Sequence, residues 1–562
     1  MDKTTITHEN GSSFELEQAY VAHIDTSRCV NCGTCRENCP VMAIDEAQRW
    51  ICRVCPECTD QPVMRLDQID EFCTKQSCTT ACPLGISPQG YIGLARNDRL
   101  EEAYKKIWEK NPLPAVCGHI CHHPCEQVCK RGVLVDDPMA IRGIKRYLGE
   151  KVDYKRPAYP RLYDERVAVI GAGPAGLSAG HFLSSLGYDV TVFEGNCEPG
   201  GMLVRGIPEF RLDRQAVRED IGKLEQAGLD IRCSTRLGKR QIEELRKEYD
   251  AIVVAAGTPH GKEITWVPKW NYDSVYTAIQ FMDFVNNDQN TCRMPHQNFV
   301  VEGKEGVVIG GGSVAMDTAR AALRLGAAKV TVVCVEEGDY VPAHEWEKQE
   351  AAEEGVQFLE GYSPKAYCGR VNTLESIDFA RVTDFCKDSS GKITFKTYGN
   401  SVTNVPASFC IVAIGQYADD IYPAADGSEV FHAGDIAGGA CSVIDALASG
   451  RKAAFDADAA IRGRTLRRAV VAHALTKAPL EEKIYPCNRR KTMRHERPME
   501  EVSVRLKSFD EVERTYTDRQ FRQEALRCLG CGYETIDESK CIGCGVCQTL
   551  CPEGDVITMI KK

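Results

Sequence analysis

Two stretches of this chain share one plan, and that plan constrains the fold more than any other feature. "RVAVIGAGPAGLSAGHFLSSLGYDVTVFE" begins at Arg166, and "GVVIGGGSVAMDTARAALRLGAAKVTVVCVEE" begins at Gly306. Each reads as an apolar strand, a glycine turn, an amphipathic helix and a second apolar strand ending at an acid. In the first copy Gly171, Gly173 and Gly176 take the fingerprint positions. Pro174 and Ala175 open the helix, and Glu194 ends the second strand. In the second copy the positions fall on Gly310, Gly312 and Ala315, with Ser313 at the helix start and Glu336 beyond the strand. The glycines allow a tight turn and let the backbone approach a pyrophosphate. The helix N-terminus faces the anion, and the acid takes the ribose hydroxyls. Two such units predict two dinucleotides, the usual pair being a flavin and a nicotinamide.

Three further segments agree. "DAIVVAAGT" (Asp250–Thr258) reads as a buried strand running into a small-residue turn at Gly257. "FCIVAIG" does the same at Gly415. In "VFHAGDIAGGACSVIDALASGRKAA", Asp435 follows a strand and a Gly-rich segment opens a helix, with Gly434, Asp435 and Val443 as candidate cofactor contacts. A helix N-terminus beside a flavin would favour the anionic reduced ring.

The chain has 29 cysteines, and most fall in four groups. Cys29, Cys32, Cys35 and Cys39, with Pro40, follow the bacterial ferredoxin run C-x2-C-x2-C-x3-C-P. Cys541, Cys544, Cys547 and Cys551, with Pro552, repeat it. Such a loop gives each thiolate one corner of an iron–sulfur cubane. Zinc is the alternative, but its sites usually bring two ligand pairs across a longer loop. Because the fourth cysteine of such a run serves another cluster, Cys39 could complete a set with Cys52, Cys55 and Cys58. Pro62 stands where that second run would carry its own fourth cysteine. Cys29, Cys32 and Cys35 then need an outside ligand that the sequence does not name. Cys528 and Cys531, in "RCLGCG", either complete a second C-terminal cluster or are structural. The nine scattered cysteines, such as Cys233, Cys334 and Cys410, read as small buried apolar residues. In the flavin and nicotinamide segments Cys197 stands alone, with no redox CxxC, which argues against a disulfide reductase.

The 562 residues are 43% hydrophobic and 27% charged, ordinary for a soluble chain of several domains. A net charge of -11 argues against a nucleic-acid partner. No apolar run reaches membrane-spanning length, and the polar start "MDKTTITHEN" lacks a signal-peptide core, so a cytoplasmic location is expected.

The chain resembles the small (beta) subunit of glutamate synthase and its relatives. These include the large subunit of ferredoxin-dependent transhydrogenases and the N-terminal part of dihydropyrimidine dehydrogenase. The residues carrying this are "GAGPAGL", "PGGML" (with Gly201 and Met202), "GIPEFRL", "GGGSVAMD", "VPAHEWE" and "AGDI", with the blocks "CTKQSCTTACP" and "LPAVCGHICHHPCEQVC". The resemblance spans roughly residues 65 to 465. It implies FAD on the first fingerprint and NAD(P)H on the second, with the nicotinamide domain inserted in the flavin domain. It also implies two clusters between an early run, matched by Cys73, Cys78 and Cys82, and a later run, matched by Cys121, Cys125 and Cys129. The first early position falls on Asp70. A further family ligand, a carboxylate or amide, falls on Lys145, for which Cys117 is the expected substitute. His122 and His123 read as turn residues.

The expected fold is α/β. Residues 1–64 form a ferredoxin-like domain and 65–160 a helical iron–sulfur domain. Residues 161–295 and 416–465 form the FAD domain around a nicotinamide domain at 296–415. A linker or docking arm follows at 466–524, and a second ferredoxin-like domain at 525–562. FAD belongs between hydride chemistry and single-electron clusters. The expected function is therefore an electron-transfer flavoprotein subunit. It carries FAD and about four to six 4Fe–4S clusters, and it serves other subunits of a redox complex or a ferredoxin. The competing readings are a glutamate synthase small subunit, an electron-bifurcating transhydrogenase subunit, and a cluster-bearing scaffold whose nicotinamide site has lapsed. No side chain is assigned a catalytic role. Two arginines of the NADPH-using relatives align with Val335 and Glu336. An acid there favours NADH, unless Arg320 or Arg324 restores phosphate binding.

Overall fold

The computed structural model describes residues 3–7, 13–17, 20–25, 29, 34–37, 39, 43–48, 78–267, 272–286, 299–388, 393–399, 401–463, 491–530, 532–536, 541, 546–551 and 556–561. The chain forms two units. One comprises Met1–Lys155, Leu466–Arg497 and Thr515–Lys562, and the other Arg156–Thr465 with Pro498–Arg514.

The second unit is built on two parallel sheets of the same design. The first runs in the order Val430–His432, Ala251–Val254, Arg166–Ile170, Asp189–Phe193, Asp230–Arg232. The second runs Val275–Thr277, Phe409–Val412, Glu305–Ile309, Lys329–Cys334, Gln357–Glu360. The fingerprint strand is central in each. Its Val and Ile residues are buried, as befits a parallel sheet covered on both faces. The second sheet and its antiparallel neighbour (Tyr362–Arg370, Thr373–Lys387, Ile393–Thr397, Thr403–Pro406) lie in sequence between strands of the first. The nicotinamide-type sheet is thus an insertion in the flavin-type unit. Helix Pro174–Leu186 packs along helix Val443–Arg462. The approach is close enough that a Cβ on Gly450 would lie 2.0 Å from the Ala175 carbonyl oxygen.

In the first unit, helices Pro88–Arg96, Leu100–Trp108, Pro114–Ile120 and Ile141–Lys151 form a bundle. The later helix Asp518–Leu526 packs on two of them. Phe521 stacks on Tyr147 at 3.9 Å, and Tyr147 donates to Asp518 at 2.9 Å. The end of the 466–524 segment therefore docks on the helical bundle of its own chain. The strands flanking the two ferredoxin-type runs also pair with each other. Tyr20–Ile24 joins Ile557–Lys561, and Ile44–Gln48 joins Gly532–Ile536.

Candidate nucleotide and cluster sites

The first candidate site lies at the C-terminal edge of the first sheet. Ile170, Val254 and His432 are in register there, and Gly171, Gly257 and Gly434 follow close behind. Gly171 has φ +102° and donates to the Phe193 carbonyl at 2.7 Å, which makes the fingerprint turn. A Cβ on Gly176 would meet the Gly171 oxygen at 1.8 Å, so this position is fixed by packing. Gly173 differs, because a Cβ there would meet only the Gly201 Cα, at 3.9 Å. Its open side is the approach a pyrophosphate requires. Glu194 is buried over this turn. One carboxylate oxygen accepts from Ala172 N at 2.8 Å and the other from Asn196 N at 2.8 Å. The turn before Met202 is tied in by Gly200 N donating to Ala172 O. On the far side, Gly434 lies against Ala175, and Asp435 accepts from Thr258 and from Cys441 N. Ser442 caps the long helix that opens at Val443.

The second sheet repeats this geometry. Gly310 has φ +137° and donates to Val333 O, and a Cβ on Gly312 would meet nothing within 4 Å. Gly415, at φ +112°, follows the neighbouring strand Phe409–Val412 beside Lys262. Glu336 and Glu337 part ways. Glu336 is buried with its carboxylate 3.2 Å from where Gly311 would carry a Cβ, and burial raises its pKa. Glu337 turns to Arg381 at 2.7 Å. Arg320 and Arg324 are both engaged by Glu354, and Arg320 also by Glu350. Ser313 donates to Glu347 at 2.6 Å, and Arg211 joins Glu347 to Asp317 at 2.9 and 2.8 Å. Sequence reasoning assigned no role to Arg211, Asp317 or Glu347. Each lies in a motif ("GIPEFRL", "GGGSVAMD", "VPAHEWE"), and that was the available signal.

The helical bundle gathers the central cysteines. Cys117, Cys121 and Cys125 are buried, and Cys78, Cys82 and Cys129 half-buried. Backbone N–H groups point at their sulfurs, His123 to Cys121 and Met139 to Cys129, both at 3.4 Å. His123 sits in the left-handed region at φ +48°, so it is a turn residue. Burial raises the thiols of Cys82, Cys125, Cys129 and Cys528. Lys145 is 5% exposed. Burial works against its charge, but the sulfurs of Cys121, Cys117, Cys125 and Cys82 around it outweigh that and raise its pKa. The arm after residue 490 brings Cys528 here as well. Arg131 donates to the carbonyl of Arg527, and the Cys528 thiol lies in the field of Arg96, Cys129 and Arg131.

At the joined termini, Cys35, Cys541 and Cys547 share a core, and Cys29, Cys39 and Cys551 pack against it. Cys32, Cys52, Cys55, Cys58, Asp70, Cys73, Cys531 and Cys544 lie outside the described residues. Among the described residues, no three His, Cys, Asp or Glu side chains converge on one metal ion. In a cubane each thiolate binds its own iron, so its ligands stand apart. The open cradles at Gly173 and Gly312 fit dinucleotides, and buried thiols met by backbone N–H groups fit iron–sulfur clusters. Of the scattered cysteines, Cys334 and Cys410 are buried as expected. Cys233 is half-buried, and Cys386 and Cys441 are exposed, contrary to a uniform core role. Cys441 is instead tied to Asp435 by hydrogen bonds, its thiol at 3.2 Å.

Comparison with known proteins finds the same kinds of domain. The family model described as dihydropyrimidine dehydrogenase domain II, 4Fe–4S cluster, matches residues 69–156. That of pyridine nucleotide-disulphide oxidoreductases matches 165–440, and the 4Fe–4S binding domain matches 22–45 and 534–555. The beta subunit of NADP(+)-dependent formate dehydrogenase from Moorella thermoacetica is 32% identical over 81% of this chain and 70% of its own length. The NAD-dependent dihydropyrimidine dehydrogenase subunit PreT of Escherichia coli O157:H7 is 32% identical over 74% of this chain and 93% of its own. The chain belongs to this family of iron–sulfur flavoproteins. The small chain of glutamate synthase [NADPH] from Azospirillum brasilense is similar too, 29% identical over 68% of this chain and 86% of its own length. The protein is an FAD-dependent NAD(P)H oxidoreductase that passes electrons between the nucleotide and iron–sulfur clusters. Among the described residues, no helix is long and apolar enough to cross a membrane.

Proposed function

We infer that this chain is the electron-transfer subunit of a larger redox complex and that its nucleotide is NADH rather than NADPH. The observation that carries the choice is the inward carboxylate of Glu336 at the second fingerprint turn. A carboxylate there accepts hydrogen bonds from free ribose hydroxyls and repels a 2′-phosphate. The two arginines that would favour the phosphate, Arg320 and Arg324, are held by Glu354. Relatives are named for either nucleotide, so the family leaves this choice to the individual site. FAD supplies the junction between two-electron hydride transfer and one-electron cluster transfer. The chain's own residues hold that junction: Glu194 fixes the flavin turn, and Arg211 with Asp317 and Glu347 fixes Ser313 at the start of the nicotinamide helix. Electrons leave to a partner subunit that carries the substrate chemistry, or to a ferredoxin. The names of its relatives as subunits and small chains support this reading.

The clusters number about four to six if four ligands serve each. In the helical bundle, Cys82, Cys121 and Cys125 serve one cluster. Cys117 is the thiol beside them where Lys145 replaces the family's carboxylate or amide. Cys78 and Cys129 serve another, with Cys528 as a further ligand. Steady-state dye reduction with both nucleotides tests the choice of nucleotide. We expect NADH to win, and Glu336→Arg to move the preference toward NADPH by roughly ten-fold or more. A wild-type preference for NADPH overturns the reading.

A further inference from the structure

The two four-cysteine runs sit in one small body made from both ends of the chain. The strand entering the first run, Tyr20–Ile24, pairs antiparallel with the strand leaving the second, Ile557–Lys561. The strand leaving the first run, Ile44–Gln48, pairs antiparallel with the strand entering the second, Gly532–Ile536. Ile24 stands opposite Ile557, and Ile44 opposite Ile536. Asp25 N donates to Val556 O at 2.8 Å, and Cys29 N donates to Asp25 O at 3.0 Å. The opening of the first run is therefore tied to the exit of the second. The short helices Thr34–Glu37 and Val546–Leu550 pack on each other. Val21, Ile24, Ile44, Val556 and Ile557 bury the core around Cys35, Cys541 and Cys547.

The geometry points to a crossed ligand set: Cys39 serves the cluster held by Cys541 and Cys547, and Cys551 serves the cluster held by Cys29 and Cys35. The fourth cysteine of each run lies beyond its short helix, just before the strand that leaves the run. That strand is hydrogen-bonded to the entry strand of the opposite run. Each fourth cysteine is thereby delivered to the other half. Two-cluster ferredoxins cross their ligands in this way within one continuous segment. Here the whole flavin and nicotinamide unit is inserted between the halves. An isolated two-stranded pair is marginal in water, so each half depends on the other for its sheet as well as for a ligand. This assignment replaces the expectation that Cys39 closes a set with Cys52, Cys55 and Cys58. It also gives Cys29 and Cys35 the outside ligand that the sequence leaves unnamed.

Iron analysis of full-length, anaerobically prepared variants separates crossed from local ligation. Cys29→Ser and Cys551→Ser each cost one cluster, about four irons, and the double variant still costs only about four. Pairing Cys29→Ser with Cys39→Ser costs about eight, because two clusters are hit. The opposite pattern, about eight for the first pair and about four for the second, overturns the crossing. Aspartate variants cover the case in which serine unfolds the module, since a carboxylate still ligates iron. Under crossing, Cys29→Asp and Cys551→Asp perturb the same electron paramagnetic resonance signal, and Cys39→Asp perturbs a different one. If Cys29→Asp and Cys39→Asp alter one shared signal, the assignment is wrong.

Discussion

The carboxylate of Glu524 accepts a hydrogen bond from the backbone N–H of Ala140 at 2.8 Å, across 384 residues of chain. The same oxygen accepts from Arg527 at 2.7 Å, and Arg527 and Arg131 share Asp136. Glu524 is 0% exposed and both arginines are buried. Removing one partner of such a network strands the others' charges, at a cost of about 3 kcal/mol or more. Glu524→Ala should therefore release helix Asp518–Leu526 from the iron–sulfur bundle. Limited proteolysis should cut the arm faster, and the first thermal transition should fall. Glu524→Gln keeps the hydrogen bond from Ala140 and should lose less. An unchanged cleavage rate in Glu524→Ala would show that apolar packing around Phe521 holds the helix by itself.

The glycines of the two fingerprints answer to different demands, and substitution separates them. A Cβ on Gly176 would strike the Gly171 oxygen, so Gly176→Ala should lower both thermal stability and flavin content. Gly312 faces open space, so Gly312→Val should leave the fold and bound FAD intact. The valine would occupy the pyrophosphate approach. Nicotinamide affinity should fall by a factor of about 100, or about 2.7 kcal/mol. Titration calorimetry and flavin absorbance together read both effects.

The nucleotide sites were legible because their chemistry is local. Arg166 to Glu194 form one continuous unit, in which strand, turn, helix, second strand and acid follow in order and reach the same sheet edge. The joined termini were not legible. "YVAHI" and "ITMIK" look like ordinary edge strands, and nothing in either names a partner at the far end of the chain. The same holds for Glu524 and Arg527. In sequence they resemble a solvated i,i+3 pair, yet tertiary packing buries them. The opposite directions of Glu336 and Glu337 depend on Arg381, contributed by a different strand.

His181 makes the second unit acid-sensitive. It is buried, and burial, Arg156 and Arg451 hold its pKa well below the ordinary range. The Tyr159 hydroxyl lies 2.8 Å and Arg156 Nη1 3.3 Å from Nδ1; since the guanidinium can only donate, Nδ1 accepts and carries no proton. Below about pH 6.5 the unfolded chain takes up a proton that the folded chain refuses. Stability then falls with pH, by up to about 1.4 kcal/mol per unit for this one group. Denaturant unfolding of wild type and His181→Gln at several values between pH 7.5 and 5.5 measures the contribution. The wild type should show the steeper acid loss. Equal slopes would show that His181 is protonated in the fold.

Cys528 tests whether the arm after residue 490 carries a ligand or only a clamp. Arg131 donates to the carbonyl of Arg527, and Arg494 pairs with Glu126 at 2.8 Å. Together these hold the arm against the segment that bears Cys125 and Cys129. Cys528 is buried and feels the charges of Arg96, Cys129 and Arg131, in a module where Asp70 leaves one thiol position of the family pattern unfilled. Cys528→Ser should lower iron by about four per chain, the content of one cubane, and remove one signal from the reduced spectrum. Cys386→Ser, at an exposed thiol in the nicotinamide unit, should change neither. Proteolysis of the arm distinguishes the two roles. A ligand variant loses iron while the arm stays docked through Glu524 and Arg527. Loss of docking with iron retained would make Cys528 a packing residue and leave the cluster to Cys78 and Cys129 with ligands from elsewhere.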